Sequence, residues 1–264
     1  MRVAVVGHVE WVDFVPVARY PVPGQVVHAE RAFSRAGGAG SVVAAVLADL
    51  GAEVDFFCAL GRDPHGEAAA AELSERGVSM HVAWREEPTR RAVTLLDPGE
   101  RTIVTIGERL QPLGGDPLDW DRLSRADGVY FTAGDAAALV HARAARVLTA
   151  SPRGRAALDG DGPTLDALIF SADDRDESAW AEKVRARARL LVATEGEHGG
   201  RWWGESSGRW SAVAAPGPPR DTYGCGDSFA AGFTYGLAAG RSLPDAARIG
   251  AERGAYALTR VGAP

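Results

Sequence analysis

Short apolar runs that end in glycine or in a charged turn alternate along most of this chain with segments of small, helix-forming residues. The runs "RVAVVG" (2–7), "VDFFCALGRD" (54–63) and "RLLVATEG" (189–196) have the composition of buried strands. The segments "GGAGSVVAAVLADLG" (37–51) and "PHGEAAAAELSERG" (64–77) have that of helices, each ended by a glycine. Strands that alternate with helices predict a parallel sheet covered by helices on both faces.

Two β-rich segments, about 11–35 and 81–107, interrupt this alternation. Both flank the first glycine-rich helix in sequence, so we expect them to meet in space as one small sheet. No linker, repeat or low-complexity tract divides the remaining chain, and 264 residues suit one large α/β domain. The sequence therefore predicts a single domain over 1–264 with a small β lid.

Composition and charge exclude several classes of protein. The formal net charge is −6 and there is no basic tract, so we expect no nucleic-acid partner. No apolar run approaches the roughly 20 residues of a membrane helix, and no signal peptide is visible, so we expect no membrane partner and a cytoplasmic location. Two cysteines, Cys58 and Cys225, form neither a disulfide framework nor a zinc site by themselves.

The chain contains one lysine, Lys183, and no asparagine. A P-loop needs a lysine after its glycines, and a protein kinase needs a strand lysine on the nucleotide phosphates. Lys183 lies in the arginine-rich segment "AWAEKVRARARL", with no glycines before it. Both of these phosphate-binding classes are therefore excluded.

The stretch "RDTYGCGDSFAAGF" (220–233) passes from a loop into a small-residue helix. One interpretation is a tight helix start, where glycine permits unusual dihedral angles and Asp227 caps the first turn. The other is an anion site, because free amides and the helix dipole attract phosphate. A carboxylate there would oppose a bound phosphate unless it had a chemical role, and the residues alone leave both interpretations open.

Three segments in consistent order resemble the signatures of the ribokinase-like, PfkB-type carbohydrate kinase family. They are "AGGAGSVVAAVLADLGAEVDFFCALGRDPHGE" (36–67), "VATEGEHGG" (192–200) and "RDTYGCGDSFAAGFTYGLAAG" (220–240). The resemblance runs from residue 2 to about residue 262. It implies a three-layer α/β/α fold with a central, mostly parallel sheet and a small β-sheet lid. It also implies an ATP-dependent kinase that phosphorylates a hydroxyl of a small sugar or sugar-like substrate, with Mg²⁺ as cofactor.

The resemblance also assigns roles to residues around the nucleotide. Asp227 would be the catalytic base, and the amides of the turn before it would form an anion hole for the transferred phosphoryl group. The residues of that turn are Gly224, Cys225 and Gly226. The residues expected on the ATP side are Thr194, Gly196, Gly199, Asp221 and Thr222. A monovalent cation such as K⁺ is implied near Asp221.

On the substrate side the chain departs from the family pattern. The early sugar-binding aspartate of the family falls at Val12, with Asp13 one residue later and Glu10 two earlier. A shift of one residue on a strand reverses the face, so our choice of Asp13 requires a bulge or a different contact. The family's sugar-contacting asparagine falls at Val42.

The other substrate-side candidates come from the glycine signature and the lid. They are Gly37 and Gly38, and Arg91 with its neighbour Arg90, whose charges would suit an anionic substrate.

The family's metal-associated N-x-x-E motif is absent, and "SADDRDE" (171–177) stands in its region. Asp174 and Glu177 have the i, i+3 spacing and the oxygen chemistry that suit Mg²⁺ held through water. We therefore expect these two carboxylates to support the metal.

Two alternative functions and two further expectations follow. An apolar lid would also suit the base of a nucleoside, and loss of the family asparagines leaves open a ligand-binding relative without turnover. Edge strands of the lid suggest a homodimer. At Cys225 the helix dipole lowers the thiol pKa while Asp227 raises it, so we expect modest reactivity.

Overall fold

The computed structural model describes residues 1–29, 31–97 and 100–262, with only the backbone at Glu100. In these ranges, nine strands form a central sheet. From one edge to the other they are β5 (Val78–Arg85), β4 (Glu53–Gly61), β1 (Arg2–Val6), β8 (Gly128–Phe131), β9 (Val147–Ala150), β10 (Leu165–Ser171), β11 (Ala188–Thr194), β12 (Gly200–Gly204) and β13 (Gly208–Trp210). Neighbours pair in parallel from β5 to β11, and β12 and β13 add an antiparallel hairpin.

Helices cover both faces of this sheet. One apolar cluster includes α1 (Ala39–Asp49), α2 (Pro64–Glu75), α6 (Cys225–Ala238) and α7 (Leu243–Ala257), and a second includes α3 (Ala136–Ala142), α4 (Arg155–Leu158) and α5 (Arg175–Lys183). Strand β1 shows how the sequence divides them, because Val3 and Val5 join the first cluster while Ala4 and Val6 join the second. The predicted three-layer α/β/α fold is confirmed.

A separate sheet of four strands forms the lid, counted over the described residues. Its order is β3 (Phe33–Gly37), β2 (Glu10–Pro16), β6 (Arg91–Asp97) and β7 (Glu100–Ile106), with β2 and β6 parallel. Its inner residues Val12 and Phe14 belong to the same apolar cluster as Val3 and Val5. The lid therefore packs directly on the central layers.

The second lid segment that we predicted, 81–107, begins too early. Residues 81–85 belong to β5, which pairs in parallel with β4 in the central sheet. Helix α2 connects β4 to β5, as a parallel pair requires. The prediction assigned "HVAWR" to the lid because strand composition alone does not determine which sheet a strand joins.

The order of the strands locates a crevice at the carboxyl edge of the sheet. From β1 the chain proceeds to β4 and β5 on one side, and later through β8 to β11 on the other. Ligands of open α/β sheets bind at such a switch point, beyond the carboxyl ends of the strands. Gly7, directly after β1, allows close packing at this edge, since a Cβ would lie 2.6 Å from Thr132 Cγ2 and 3.1 Å from Gly40 Cα.

None of the helices within the described ranges combines the length and the apolar character needed to cross a membrane.

Candidate active site

Helix α6 begins with the backbone amides that the family resemblance assigns to an anion hole, and the amide of Cys225 donates a hydrogen bond to Thr222 O at 3.4 Å. Its N-cap, Gly224, has φ +72°, a conformation that favours glycine, and it provides no side-chain cap. Cys225, Gly226 and Asp227 are the first three helical residues, whose amides have no acceptor within an α-helix. The structure confirms a tight helix start, and the same geometry is compatible with the second interpretation of the motif, since amides at a helix start attract anions.

The loop before α6 is held from several sides. Asp221 is buried, and its carboxylate accepts hydrogen bonds from Tyr223 N at 2.9 Å and from Gly262 N at 2.8 Å. Thr222 Oγ1 accepts a hydrogen bond from Arg101 Nη1 of the lid. Asp221 therefore fixes the loop, and Thr222 connects it to the lid.

Asp227 interacts electrostatically with Arg153, a residue that the sequence alone did not single out. Burial raises the pKa of Asp227, while the charges of Arg153 and then Arg101 lower it. Asp227 in turn is the main cause of a raised pKa at Arg153. Arg153 follows strand β9 at the carboxyl edge, where it is exposed to solvent. An arginine three residues after a buried parallel strand was the only available signal.

Glu10, rather than Asp13, is the carboxylate on the crevice side of β2. Residues of β2 alternate regularly, with Glu10 and Val12 buried and Asp13 on the opposite face. The pairing of β2 with β6 continues without a bulge, and Asp13 Oδ2 there accepts a hydrogen bond from Arg91 Nη2 at 2.8 Å. The hydrogen bond from Ser34, followed by Arg91, lowers the pKa of Asp13. Asp13 and Arg91 therefore pair with each other on the face of the lid sheet away from Glu10, and their role as substrate residues stays a prediction.

Glu10 faces a group of arginines. Burial raises the pKa of Glu10, and the charges of Arg90, Arg153 and Arg109 oppose this rise in that order. Arg90 Nε lies 3.4 Å from Glu10 Oε2. Asp227 also acts on Glu10, so the two carboxylates share one crevice.

The two glycines before α1 pack closely against the residues around Glu10. A Cβ at Gly37 would lie 2.7 Å from Tyr223 Oη, and one at Gly38 would lie 3.0 Å from His8 Nε2. Val42, one turn into α1, is buried in the apolar core. Valine therefore stands at the position of the family's sugar-contacting asparagine, and its side chain packs into the apolar core.

The predicted nucleotide loop lies at the carboxyl end of β11, on the same edge as Asp227. Thr194 is the last residue of β11, and Gly196 and Gly199 both have positive φ, of +55° and +86°. A Cβ at Gly199 would lie 2.1 Å from Trp210 O. These glycines are needed for the turn itself, and the turn leaves a bare backbone beside the crevice.

The two predicted metal residues have different contacts. Asp174 is the N-cap of α5, and its Oδ1 accepts the amides of Asp176 and Glu177 at 3.0 Å each. Glu177 Oε2 accepts Ser171 N at 3.1 Å. Burial raises the pKa of Glu177, and the charges of Arg153, Asp174 and Asp227 also act on it. Glu177 therefore interacts with the charges of Arg153 and Asp227, while Asp174 caps the N-terminus of α5.

No group of three or more His, Cys, Asp or Glu side chains suitable for a metal occurs in the part of the chain that the structure describes. Mg²⁺ in kinases is usually held by one or two carboxylates together with waters and substrate phosphates. Glu177 provides a carboxylate of this kind, so the residues at the start of α5 fit Mg²⁺.

Cys225 has a less acidic thiol than its position at a helix start suggested. Burial raises the pKa of Cys225 to about 11, with Arg101 lowering it and Asp221 and Asp227 raising it. Cys58 is fully buried, which raises its pKa as well. Burial is therefore the main cause of the raised pKa of Cys225.

Comparison with known proteins decides the family. Residues 1–151 and 164–264 match the sequence model described as pfkB family carbohydrate kinase. This chain belongs to the pfkB family of carbohydrate kinases. The kinase is 32% identical over 283 residues to an acarbose 7(IV)-phosphotransferase of Actinoplanes sp., covering 95% of this chain and 89% of that protein. It is 29% identical to an ATP-dependent ribose-1-phosphate kinase of Halopiger xanaduensis, covering 88% of this chain and 83% of that protein.

Solved structures agree with this assignment. A microbiome-derived acarbose kinase superposes with a TM-score of 0.79 at 26% identity, over 98% of this chain and 93% of that one. The Arabidopsis thaliana ribokinase with ribose and ATP shares the fold, with a TM-score of 0.77 at 22% identity over 99% and 93% of the two chains. The predicted fold, family and activity class, an ATP-dependent sugar kinase, are confirmed at the level of the family.

Proposed function

We propose that this kinase transfers the γ-phosphoryl group of ATP to a hydroxyl of a small sugar or sugar-like acceptor, with Asp227 as general base. The single observation that carries the proposal is the position of the Asp227 carboxylate in the first turn of α6, at a helix start that has no side-chain cap. Asp227 accepts the hydroxyl proton as the acceptor oxygen forms its bond to the γ-phosphorus. The bond from that phosphorus to the bridging oxygen breaks, and ADP leaves.

Charge on the transferred group is stabilised by the helix start and by arginine. The amides of Gly224, Cys225 and Gly226 act as the anion hole, in line with the positive end of the helix dipole. Arg153 supplies a full positive charge beside Asp227. In a chain with a single lysine, arginine takes over the role that lysine has in other phosphate sites.

The ATP side consists of the turn after β11 and the loop before α6. Thr194, Gly196 and Gly199 offer close backbone approach to the nucleotide, while Asp221 and Thr222 hold the adjoining loop. Glu177 would hold Mg²⁺, and Asp174 caps the helix that carries Glu177. When bound, Mg²⁺ neutralises phosphate oxygens. A K⁺ ion near Asp221 and the cytoplasmic location stay predictions.

On the acceptor side Glu10 accepts hydrogen bonds from sugar hydroxyls, beside Gly37 and Gly38. The relatives named above act on an oligosaccharide and on a sugar phosphate, and another relative is a fructoselysine 6-kinase of Escherichia coli. These names support a sugar rather than a nucleoside as acceptor.

The lid also supports a homodimer. Strand β7 is an edge of the lid sheet, and its residues Ile103, Val104 and Ile106 are exposed. An apolar edge strand is a ready surface for pairing with a second copy. The molar mass in solution, measured by light scattering, tests this part of the proposal.

The test of the function is ADP release with ATP and Mg²⁺ across a panel of sugars, sugar phosphates, acarbose and nucleosides. Asp227→Asn should lower kcat by roughly 10²–10⁴-fold, as for loss of a general base, with ATP binding nearly unchanged. The control is Asp121→Asn, an exposed carboxylate on the turn that precedes β8. Near-normal turnover of Asp227→Asn would refute the assignment, and turnover of nucleosides alone would refute the sugar.

A further inference from the structure

His8 is a buried histidine whose ring nitrogens have no partner. It follows Gly7 at the carboxyl end of β1 and is only 5% exposed. Its Nδ1 is buried without a hydrogen bond, and Nε2 forms none either within the part of the chain that the structure describes. A neutral imidazole has one donor and one acceptor, and burying them unpaired costs free energy. This arrangement therefore favours a ligand that supplies the missing hydrogen bonds.

Glu10 lies next to this imidazole. A Cβ at Gly38 would be 3.0 Å from His8 Nε2 and 3.3 Å from Glu10 Cγ, so both side chains pack against the same bare stretch of backbone. Glu10 is also buried, on the crevice side of β2. The charge of Asp227 acts on Glu10, so this carboxylate shares the crevice of the proposed base. The imidazole and the carboxylate form one polar pair, which we call the His8–Glu10 pair.

The imidazole of this pair is neutral. Burial is the main cause that holds the pKa of His8 well below its usual value, and three arginine charges add to it, namely those of Arg109, Arg153 and Arg90. The same arginines act on Glu10, where they oppose the rise in pKa that burial causes. The pair therefore offers one N–H donor together with the acceptor lone pairs of the imidazole and the carboxylate, a combination that suits hydroxyl groups.

The two family positions for polar contacts with the sugar hold valines in this chain. Val12 stands at the place of the sugar-binding aspartate, and Val42 at that of the asparagine. Both valines are buried in the same apolar cluster, and neither side chain forms hydrogen bonds. Polar contacts with the acceptor must therefore come from other side chains. Glu10 lies two residues before Val12 on the same face of β2, and His8 lies two residues before Glu10.

The position of the pair in the sheet favours the acceptor over the nucleotide as its ligand. The predicted nucleotide turn follows Thr194 at the end of β11, while His8 follows β1. Three strands, β8, β9 and β10, lie between β1 and β11. Four spacings of about 4.8 Å each separate the two strands by about 19 Å. The pair therefore lies well away from the nucleotide turn.

We propose that His8 determines the specificity for the acceptor, because its imidazole binds one hydroxyl of a polyol while Glu10 accepts a hydrogen bond from the neighbouring hydroxyl. A hydroxyl both donates and accepts, so it supplies the partner that the imidazole lacks. An acceptor without one of these vicinal hydroxyls leaves a buried polar group unpaired, and this penalty produces the selectivity. The inference rests on the proposed function and assigns the acceptor contacts to residues outside the family pattern.

Calorimetric titration without ATP tests this inference. Ribose, fructose, glucose, myo-inositol and acarbose are titrated into the wild type, and the variants are measured with the tightest binder. His8→Leu should weaken binding by roughly tenfold or more, and His8→Gln, which keeps a donor and an acceptor, should recover most of the loss. The affinity for ATP should stay unchanged in both. The matched control is His141→Leu, since His141 is a half-buried histidine of α3 that stacks on Trp120.

Deoxy analogues of the tightest binder give a second readout. Loss of the hydroxyl that His8 binds should weaken binding to the wild type by a similar factor and to His8→Leu by much less, because the two partners of one hydrogen bond are not additive. Equal losses in both proteins at every deoxy position overturn the inference. Unchanged acceptor binding by His8→Leu, a loss of ATP affinity in that variant, or no binding of any polyol in the panel also overturns it.

Measurement of ADP release separates this inference from the proposed function. Polyol binding that depends on His8, without ADP release from the wild type, keeps the inference and refutes the proposed function. Normal ADP release by His8→Leu at an unchanged KM for the acceptor does the reverse.

Discussion

The amide of Gly38 donates a hydrogen bond to Tyr223 Oη at 3.0 Å, across a separation of 185 residues in sequence. Gly38 precedes α1 on the acceptor side, and Tyr223 lies in the loop that leads to Asp227. The Tyr223 ring also packs edge-on against Phe14 of the lid, with ring centroids 5.0 Å apart. One side chain thus connects the acceptor wall, the lid and the anion hole.

Tyr223→Phe keeps the ring and removes the acceptor for this buried amide. We expect a loss of about 1–3 kcal/mol in the free energy of unfolding, because the Gly38 donor is left unsatisfied. We also expect a lower kcat, since the loop loses a fixed point. Urea denaturation and steady-state kinetics measure the two effects, with the exposed Tyr256→Phe as control. An unchanged stability would show that water replaces the hydroxyl.

Arg153→Gln should shift the acid limb of the pH–rate profile. Arg153 lowers the pKa of Asp227 against the effect of burial, so its removal raises that pKa further. The base must be ionised to act, so the fall of kcat/KM on the acid side should begin at a higher pH than in the wild type. The control is Arg155→Gln, whose guanidinium lies over the Trp180 ring. A profile with an unmoved acid limb would contradict a role of Arg153 beside Asp227.

Glu10→Gln and Asp13→Asn test which face of β2 meets the acceptor. Glu10→Gln should raise the KM for the acceptor by roughly tenfold or more, as for loss of one charge-assisted hydrogen bond. Asp13→Asn should leave that KM unchanged and lower the thermal stability, because Asp13 bonds Ser34 and Arg91 within the lid. Kinetics and thermal unfolding of both variants decide the matter, and the reverse pattern would restore Asp13 as the substrate residue.

Glu177→Gln should raise the Mg²⁺ concentration needed for half-maximal activity by roughly tenfold, since a charged oxygen ligand is lost. Asp174→Ala should cost about 1 kcal/mol of stability as a lost N-cap, with a smaller effect on the metal. Mg²⁺ titrations of activity, together with unfolding curves, measure both. If neither variant changes the Mg²⁺ requirement, the metal is held elsewhere.

Cys225 should react slowly with alkylating reagents at neutral pH. A thiol with pKa about 11 is ionised in only about one molecule in 10⁴ at pH 7, so the rate should rise as the pH increases towards 10. ATP with Mg²⁺ should slow the reaction, because the γ-phosphate would cover the start of α6. Mass spectrometry of both cysteines measures this, with the buried Cys58 as the slower internal reference. A rate that ATP leaves unchanged would argue against a phosphate site at this helix.

The sequence by itself determined the features that depend on local backbone chemistry. Gly224 before Asp227 predicts a helix start with free amides, because the dihedral angles of glycine and the geometry of a first turn are local properties. The alternation of apolar strands with helices is equally local, so the α/β layers and the family signatures could be read directly. The turn at Gly196 and Gly199 could also be predicted from the sequence, because a tight turn packed against a strand requires residues without a side chain.

Only the tertiary structure decided which distant residues meet. Residues 81–85 have the same strand composition whether they join the lid or the central sheet, and the crossover through α2 makes the choice. Glu10 and Asp13 lie on opposite faces of β2, and only the packing of the lid on the central layers decides which of these faces is buried. Arg109 and Arg153 lie 44 residues apart in loops without a motif. Their convergence on His8 is a product of packing at the carboxyl edge of the sheet, and no short-range pattern in the chain encodes it.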